Sequence, residues 1–294
     1  MLAPELLSQI RRLELRARHL ASDVLMGEYA SAFKGRGWEF DEVREYRVGD
    51  DLRSIDWNVT ARFGEPYVKV FREEREMTIM LLLDVSSSLF FAGGGRAKHE
   101  MAAELAAILA FLAIRHQDKV GLILFSDHVE HYIAPSKGRA HVWSIIRGVL
   151  SHRAKGQKTD VEGALRFFLN VRKRRCLSFL ISDFWAPAYG KSLKQVARQH
   201  DLVCTRLLDP RERQLPDAGL VLLQDNEDGK RVLIDTSGPR FKQGWSAQQQ
   251  KHMGDWVHWV RSLGASSLLL STDQESVPAL HRFLQEREAR RRRP

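Results

Sequence analysis

Carboxyl and hydroxyl side chains follow an apolar run in this sequence at positions that suit a metal ion. The run 78–83 ends at Asp84, and Ser86 and Ser88 come next at alternate positions. Their oxygens are hard donors, which suit Mg²⁺, Mn²⁺ or Ca²⁺, whereas zinc prefers Cys and His. The spacing therefore indicates a divalent cation held by one tight loop.

Two more oxygen donors are expected to reach the same place. Thr159 precedes a predicted helix, and Asp183 directly follows the apolar run 177–181. Taken singly, each of these residues is more simply a turn residue or a helix cap. Functional groups of a parallel sheet gather beyond the carboxyl ends of its strands, so together they favour one site. The predicted metal ligands are Asp84, Ser86, Ser88, Thr159 and Asp183.

Strands alternate with helices from residue 77 onward. Strands are predicted at 78–83, 120–125, 129–133, 177–181, 202–208 and 267–270, with a hairpin at 221–234. Helices are predicted at 97–115, 141–150, 159–171, 192–200, 239–263 and 277–289. Continuous apolar strands between helices predict an α/β fold with a doubly wound, mostly parallel central sheet, Rossmann-like in outline.

The N-terminal part has a different character. Residues 5–22 carry apolar side chains at helical spacing, and residues 38–75 mix charged and aromatic side chains around a turn at 49–51 and a short strand at 67–71. Arginines and aspartates there predict either a structural network of ion pairs or a partner-docking surface. The predicted organisation is an N-terminal helical and β extension (1–75), one domain (76–289) and a basic tail (290–294).

The composition limits the classes of protein to which this chain can belong. Apolar residues make up 44% and charged residues 28% of 294 positions, which is typical of a globular chain. Cys176 and Cys204 each lie in an apolar run, so buried reduced thiols are expected. The sequence shows neither a secretory signal nor an apolar run of about 18 residues, and it predicts a cytoplasmic protein without a membrane span.

Three motifs resemble the metal-ion-dependent adhesion site of von Willebrand factor A domains. They are Asp84-x-Ser86-x-Ser88, Gly156-x-x-Thr159 and Ile181-Ser182-Asp183. The resemblance implies that residues 76–289 form a von Willebrand factor A-like domain. It also implies that the serines and the threonine bind Mg²⁺, or Mn²⁺ or Ca²⁺, and that the aspartates act directly or through water. The loop before Thr159 departs by one residue from the family's common Gly-x-Thr.

A second resemblance covers almost the whole chain. The segments Gly35–Phe40, Arg44–Tyr46, Gly49–Trp57 and Ala61–Arg62 are similar to the bacterial "domain of unknown function 58" family. Members are encoded near MoxR-type AAA+ ATPases, which implies an adaptor role in protein maturation or complex assembly. The expected function is a non-catalytic, metal-dependent interaction module whose cation grips an acidic residue of a MoxR-type ATPase or its client.

Two other functions fit parts of the sequence. A metal-dependent phosphohydrolase of the haloacid dehalogenase type also places an Asp after its first strand. Such an enzyme needs a second carboxylate two residues later, and this chain has Ser86 there. A nucleic-acid binder is suggested by the net charge of +9, although the basic run Arg172–Arg175 is explained by a helix C-terminus. We therefore expect no specific nucleic-acid partner, and the sequence leaves the oligomeric state open.

Overall fold

The computed structural model describes residues 23–33, 38–73, 76–91, 95–186, 188–224 and 229–292; the helix predicted at 5–22 lies outside them. The described helices are α1 (Asp23–Phe33), α2 (Trp57–Phe63), α3 (Lys98–Arg115), α4 (Arg139–Ser151), α5 (Val161–Val171), α6 (Gly190–Gln199), α7 (Pro210–Arg213), α8 (Pro239–Ser262) and α9 (Ser276–Arg292), with 3-10 turns at Leu52–Ser54 and Ser87–Phe90. The strands are β1 (Trp38–Glu45), β2 (Tyr67–Glu73), β3 (Thr78–Asp84), β4 (Lys119–Phe125), β5 (Val129–Ser136), β6 (Leu177–Ser182), β7 (Asp201–Leu208), β8 (Leu220–Gln224), β9 (Arg231–Asp235) and β10 (Ser266–Ser271).

The central sheet has the strand order β10-β7-β6-β3-β4-β5. Its strands run parallel, except that the edge strand β5 pairs antiparallel with β4. The first strand of this sheet along the chain, β3, lies in the middle, with β4 on one side and β6 on the other. In open α/β sheets, ligands bind beyond the carboxyl ends of the strands at such a reversal of strand order.

Helices cover both faces of the sheet. Alternate residues of a strand point to opposite faces, so Ile79, Leu81 and Leu83 pack in one core with α1, α3, α4 and α9. Met80 and Leu82 pack in a second core with α5, α6 and α8. The predicted doubly wound, mostly parallel α/β fold is therefore confirmed.

Helix α1 was not predicted from the sequence. It buries Leu25, Tyr29 and Phe33 in the same core as α9, although Gly27 and the polar residues around it weaken its apolar periodicity. Its position comes from packing against α9, which is distant in sequence, so local spacing carries little signal for it.

Several helix boundaries differ from the predicted ones, and two of the differences bear on the predictions made above. The helix predicted at 159–171 begins at Val161, because the Asp160 carboxylate caps it and accepts the Gly163 N–H at 2.8 Å. Thr159 thus lies in the loop before the cap. At the other end of the chain, α9 continues to Arg292, into the run predicted as a basic tail at 290–294.

The N-terminal segment forms its own small sheet of β1 paired antiparallel with β2. Arg44 donates two hydrogen bonds of 2.8 Å to the Asp50 carboxylate, and Asp56 caps α2 and pairs with Lys69 at 3.4 Å. Trp57 is 70% exposed. Ion pairs of the predicted kind thus form within the segment, while Trp57 stays open to solvent.

The remaining predictions concern the hairpin, the thiols and the membrane. The hairpin is confirmed as the separate pair β8–β9, and Cys176 and Cys204 are buried free thiols. None of the helices in the described part of the chain combines the length and the apolar content that crossing a bilayer requires.

Candidate functional site

Asp84 ends β3 and is buried, with 1% of its surface exposed. One carboxylate oxygen accepts the backbone N–H of Ser86 at 2.9 Å, and the other accepts the Ser182 hydroxyl at 2.6 Å. Ser182 is the last residue of β6, the strand beside β3, so the two strand ends are tied together through this carboxylate.

The loop after Asp84 turns the serine hydroxyls toward Thr159. Ser86 is extended at φ −62° and ψ 165°, and the 3-10 turn Ser87–Phe90 follows it directly. The Ser86 and Ser88 Oγ atoms lie 3.1 Å apart, and the Thr159 hydroxyl donates to Ser86 Oγ at 2.8 Å. We call Asp84, Ser86, Ser88 and Thr159 the oxygen cluster.

The loop that carries Thr159 is held by the buried carboxylate of Glu130. It accepts the backbone N–H groups of Lys155 and Gly156 at 3.0 and 3.1 Å and the Ser126 hydroxyl at 2.5 Å, and His152 Nε2 lies 2.7 Å away. Burial acts to raise the pKa of Glu130, but these hydrogen bonds outweigh it and lower the pKa to about 2. Glu130 thus anchors the loop as a carboxylate.

Gly156 makes this close approach possible. A Cβ at this position would lie 2.3 Å from both Ser126 Oγ and Asp127 Oδ1, so a larger residue would push the loop away from β5. The carbonyl oxygen of Gln157 then accepts the Ser87 N–H at 3.2 Å and the Ser87 hydroxyl at 2.7 Å. The two loops of the oxygen cluster are therefore bonded directly to each other.

Asp183 follows β6 and is buried in an ion-pair cluster that we define as Asp183, Lys98 and Glu212. Lys98 Nζ lies 3.0 Å from Asp183 Oδ2 and also contacts Glu212 Oε1. Only 1% of the Lys98 side chain is exposed. Burial acts to lower the pKa of Lys98, but the two carboxylates outweigh it and raise the pKa above its ordinary value.

The charges of the two clusters are not balanced in the same way. Burial, and next the negative charge of Asp183, raise the pKa of Asp84 to about 7, against the hydrogen bonds from Ser182 and Ser86. Within the described ranges, no cationic side chain forms an ion pair with Asp84. A buried carboxylate without a counter-charge is costly, so an added cation would stabilise it.

The donor chemistry fits a hard divalent cation. Carboxylates and hydroxyls provide only oxygen ligands, as Mg²⁺, Mn²⁺ and Ca²⁺ prefer. The described chain contains no group of three or more His, Cys, Asp and Glu side chains that could hold a metal, so a site here depends on the hydroxyls. Asp183 already contacts Lys98, so an ion that used its carboxylate would compete with this contact.

The structure joins four of the five sequence-predicted residues through hydrogen bonds around Ser86 and Asp84. It places the fifth, Asp183, next to Ser182, which bonds Asp84. Sequence reasoning missed Lys98 and Glu212. Lys98 carried a usable signal, a cation in the first turn of an apolar helix where the dipole disfavours it. Glu212 carried none, because α7 is far from α3 in sequence.

Comparisons with known proteins found a relative similar over nearly the whole chain and solved structures with more distant similarity. Uncharacterized protein Rv1480 of Mycobacterium tuberculosis is 30% identical over 289 residues, covering 97% of this chain and 90% of the relative. Among solved structures, an aerotolerance-related membrane protein from Bacteroides fragilis matches at 13% identity, with a TM-score of 0.48, over 73% of this chain and 99% of that one. The conserved hypothetical protein BatB from Bacteroides thetaiotaomicron matches at 14% identity and a TM-score of 0.47, over 72% and 99%.

The family comparison covers most of the chain. The model of the family described as "Protein of unknown function DUF58" matches residues 42–255, which include the oxygen cluster, Lys98, Asp183 and Glu212. The relative noted above extends the similarity to nearly the whole length. This chain therefore belongs to the DUF58 family.

Proposed function

We propose that this protein is a non-catalytic interaction module that binds a divalent cation, Mg²⁺ or else Mn²⁺ or Ca²⁺, to grip an acidic partner. The ligands are the oxygen cluster, with Asp183 contributing directly or through water. The observation that supports the proposal best is the buried Asp84 carboxylate beside three convergent hydroxyls, without an ion pair among the described residues.

The protein's own groups have separate roles in this proposal. Asp84 supplies the negative charge, and the three hydroxyls supply neutral oxygens whose positions are set by Glu130 and Gln157. Lys98 neutralises Asp183, which leaves the site with little net negative charge. A cation held by so few anionic ligands keeps affinity for a further carboxylate from a partner.

Isothermal titration calorimetry with Mg²⁺ and Mn²⁺ tests the metal site. We expect binding to the wild type and a loss of about 10-fold or more in Ser86→Ala, because the central hydroxyl is removed. Ser178→Ala is the matched control, since Ser178 is also a buried hydroxyl but bonds the Asp201 carbonyl oxygen at 3.3 Å, away from the cluster. Equal heats in all three proteins would contradict the site.

The non-catalytic role has its own test. The purified protein with Mg²⁺ should not hydrolyse p-nitrophenyl phosphate. Hydrolysis that Asp84→Asn abolishes would replace this proposal with a metal-dependent phosphohydrolase.

For the partner, we propose a MoxR-type AAA+ ATPase or its client, in the cytoplasm. The family resemblance supports this choice, and the two free thiols fit a reducing compartment. A pull-down with the purified ATPase should retain the wild type but not Ser86→Ala. Both are measured at the same Mg²⁺ concentration, because the ATPase needs Mg²⁺ of its own. Equal retention would contradict cation-dependent binding to this partner.

A further inference from the structure

Arg206 is a buried cation next to the ion-pair cluster. It lies on β7, in parallel register with Ser182, and only 6% of its surface is exposed. Across the described ranges, no acceptor bonds its guanidinium, and its Nε is buried without a partner. A buried donor without an acceptor is destabilising, so a ligand that brings an acceptor to this guanidinium would be stabilised by it.

Two tryptophans fix the orientation of Arg206. The guanidinium carbon lies 5.5 Å from the ring centroid of Trp185 and 5.3 Å from that of Trp256. A guanidinium that lies over the face of an aromatic ring is attracted by the ring's negative charge distribution. The two rings therefore stabilise the charge of Arg206, and they supply no hydrogen-bond acceptor to its buried Nε.

The position of Trp185 depends on a strained residue. Phe184 adopts a left-handed conformation at φ 60°, which a bulky residue rarely adopts. Its ring packs against Tyr189 and Trp256, which stabilises this turn. The backbone N–H of Trp185 then points back to Asp183 Oδ1 at 3.4 Å. The segment that follows Asp183 thus also positions Trp185 against Arg206.

A small pocket that is open to solvent lies beside Arg206 and Trp185. Arg206 and Arg213 supply cationic side chains to its lining, and Trp185 and Met253 supply apolar surface. Glu212 also lines the pocket, but Lys98 already pairs with its carboxylate. The lining therefore combines an unused guanidinium edge with walls suited to methylene groups.

We propose that this Arg206 pocket binds a carboxylate of a protein partner, as a recognition site separate from the oxygen cluster. A carboxylate matches the planar edge of a guanidinium with two parallel hydrogen bonds. Apolar walls suit the methylenes of a glutamate side chain, and the nearby Glu212 carboxylate disfavours a phosphate dianion. The site needs no divalent cation, so a test of carboxylate binding here is independent of a test of the metal site proposed above.

Nuclear magnetic resonance of the arginine Nε–H groups tests this proposal directly. The Arg206 signal is identified by its absence in Arg206→Lys. It should shift on titration with N-acetyl-glutamic acid α-amide at constant ionic strength, equally in EDTA and in Mg²⁺. The neutral N-acetyl-glutamine amide should not shift it. Titration with N-acetyl-glycine shows whether a chain-terminal carboxylate also binds, which would support the pocket and broaden its ligand to both carboxylate sources.

Variants separate a ligand role from a structural one. Arg206→Lys should weaken binding of the glutamate probe by about 10-fold or more, because the two-bond edge is lost. Arg261→Lys is the matched control, since Arg261 is exposed and bonds Ser267. If Arg206→Lys fails to fold, Arg213→Gln should still weaken binding by a smaller factor.

Several results would overturn the proposal. They are equal shifts with the glutamate and glutamine probes, full binding by Arg206→Lys, or a shift that requires Mg²⁺. Tighter binding of inorganic phosphate than of the glutamate probe would likewise reject a carboxylate site.

Discussion

The oxygen cluster and the ion-pair cluster lie side by side at the same edge of the sheet. Each contains a buried carboxylate, but different groups stabilise it. Asp183 is neutralised by Lys98, a cation built into the fold. Within the part of the chain that the structure describes, Asp84 has only hydroxyl and amide donors, from Ser182 and Ser86. Hydrogen bonds to a buried charge lower its cost but do not cancel it.

The difference indicates where an external cation would act. It would stabilise the oxygen cluster, which lacks positive charge, and it would compete with Lys98 for Asp183. Asp84 and Asp183 are thus not equivalent in this chain, and variants on the two sides should respond in opposite ways to Mg²⁺.

The largest expected effect is that of Asp84→Asn. It removes the main anionic ligand, so Mg²⁺ affinity should fall by more than the about 10–100-fold typical of residues that only support a ligand. In EDTA its thermal midpoint should not fall, because an unpaired buried charge is removed. Calorimetry and thermal unfolding measure the two effects. Undiminished Mg²⁺ affinity would contradict the proposed role of Asp84 as the main anionic ligand.

Lys98→Met should produce the next largest effect, now on stability. It leaves Asp183 and Glu212 without their buried cation, so the free energy of unfolding in EDTA should fall by about 3–5 kcal/mol. Mg²⁺ should restore more stability to this variant than it adds to the wild type, because Asp183 is released to the ion. Urea unfolding with and without Mg²⁺ measures both changes.

Lys119→Met is the matched control for that variant. Lys119 also pairs with a carboxylate, Glu76 at 2.6 Å, but its side chain is 45% exposed. An exposed pair contributes about 1 kcal/mol or less, and no gain from Mg²⁺ is expected. Equal losses in the two lysine variants would contradict the special role of Lys98.

Glu130→Gln should have a smaller effect that depends on pH. The pKa of Glu130 is lowered from 4.5 to about 2, so its contribution to stability is fully present above pH 4.5 and is lost as the pH falls toward 2. The wild type should therefore lose more stability than the variant over this window. Urea midpoints measured at several pH values provide the comparison, and parallel curves for the two proteins would exclude the anchor.

The smallest effect is expected in the N-terminal segment. Arg44→Ala breaks the Arg44–Asp50 pair, which is partly exposed and lies beside a small sheet separate from the central one. Mg²⁺ affinity measured by calorimetry should be unchanged, and the thermal midpoint should move only slightly. A clear loss of affinity would show that this segment supports the site.

The fold and the oxygen cluster were accessible from the sequence for specific reasons. The run ending at Asp84 is apolar throughout because β3 is buried on both faces, and that pattern predicts a parallel strand. Parallel strands bring their carboxyl ends together, which was enough to place Ser86, Ser88 and Thr159 near each other.

The charged neighbours of the site were not accessible in the same way. Lys98, Glu212 and Arg206 reach the site from α3, α7 and β7, and neither spacing nor composition links these elements. Their contacts depend on how α3 and α7 pack at the edge of the sheet, which is a property of the three-dimensional structure. The sequence therefore pointed to the proposed ligands but missed the internal cation, Lys98, that pairs with one of them.

Electron paramagnetic resonance of Mn²⁺ tests the central claim, the cation site, most directly, because only free Mn²⁺ gives the sharp solution signal. With wild-type protein we expect that signal to fall as one ion binds per chain, to return when Mg²⁺ is added in excess, and to stay unchanged with Asp84→Asn. A free-ion signal that wild-type protein does not reduce, or that Asp84→Asn reduces equally, would contradict the account.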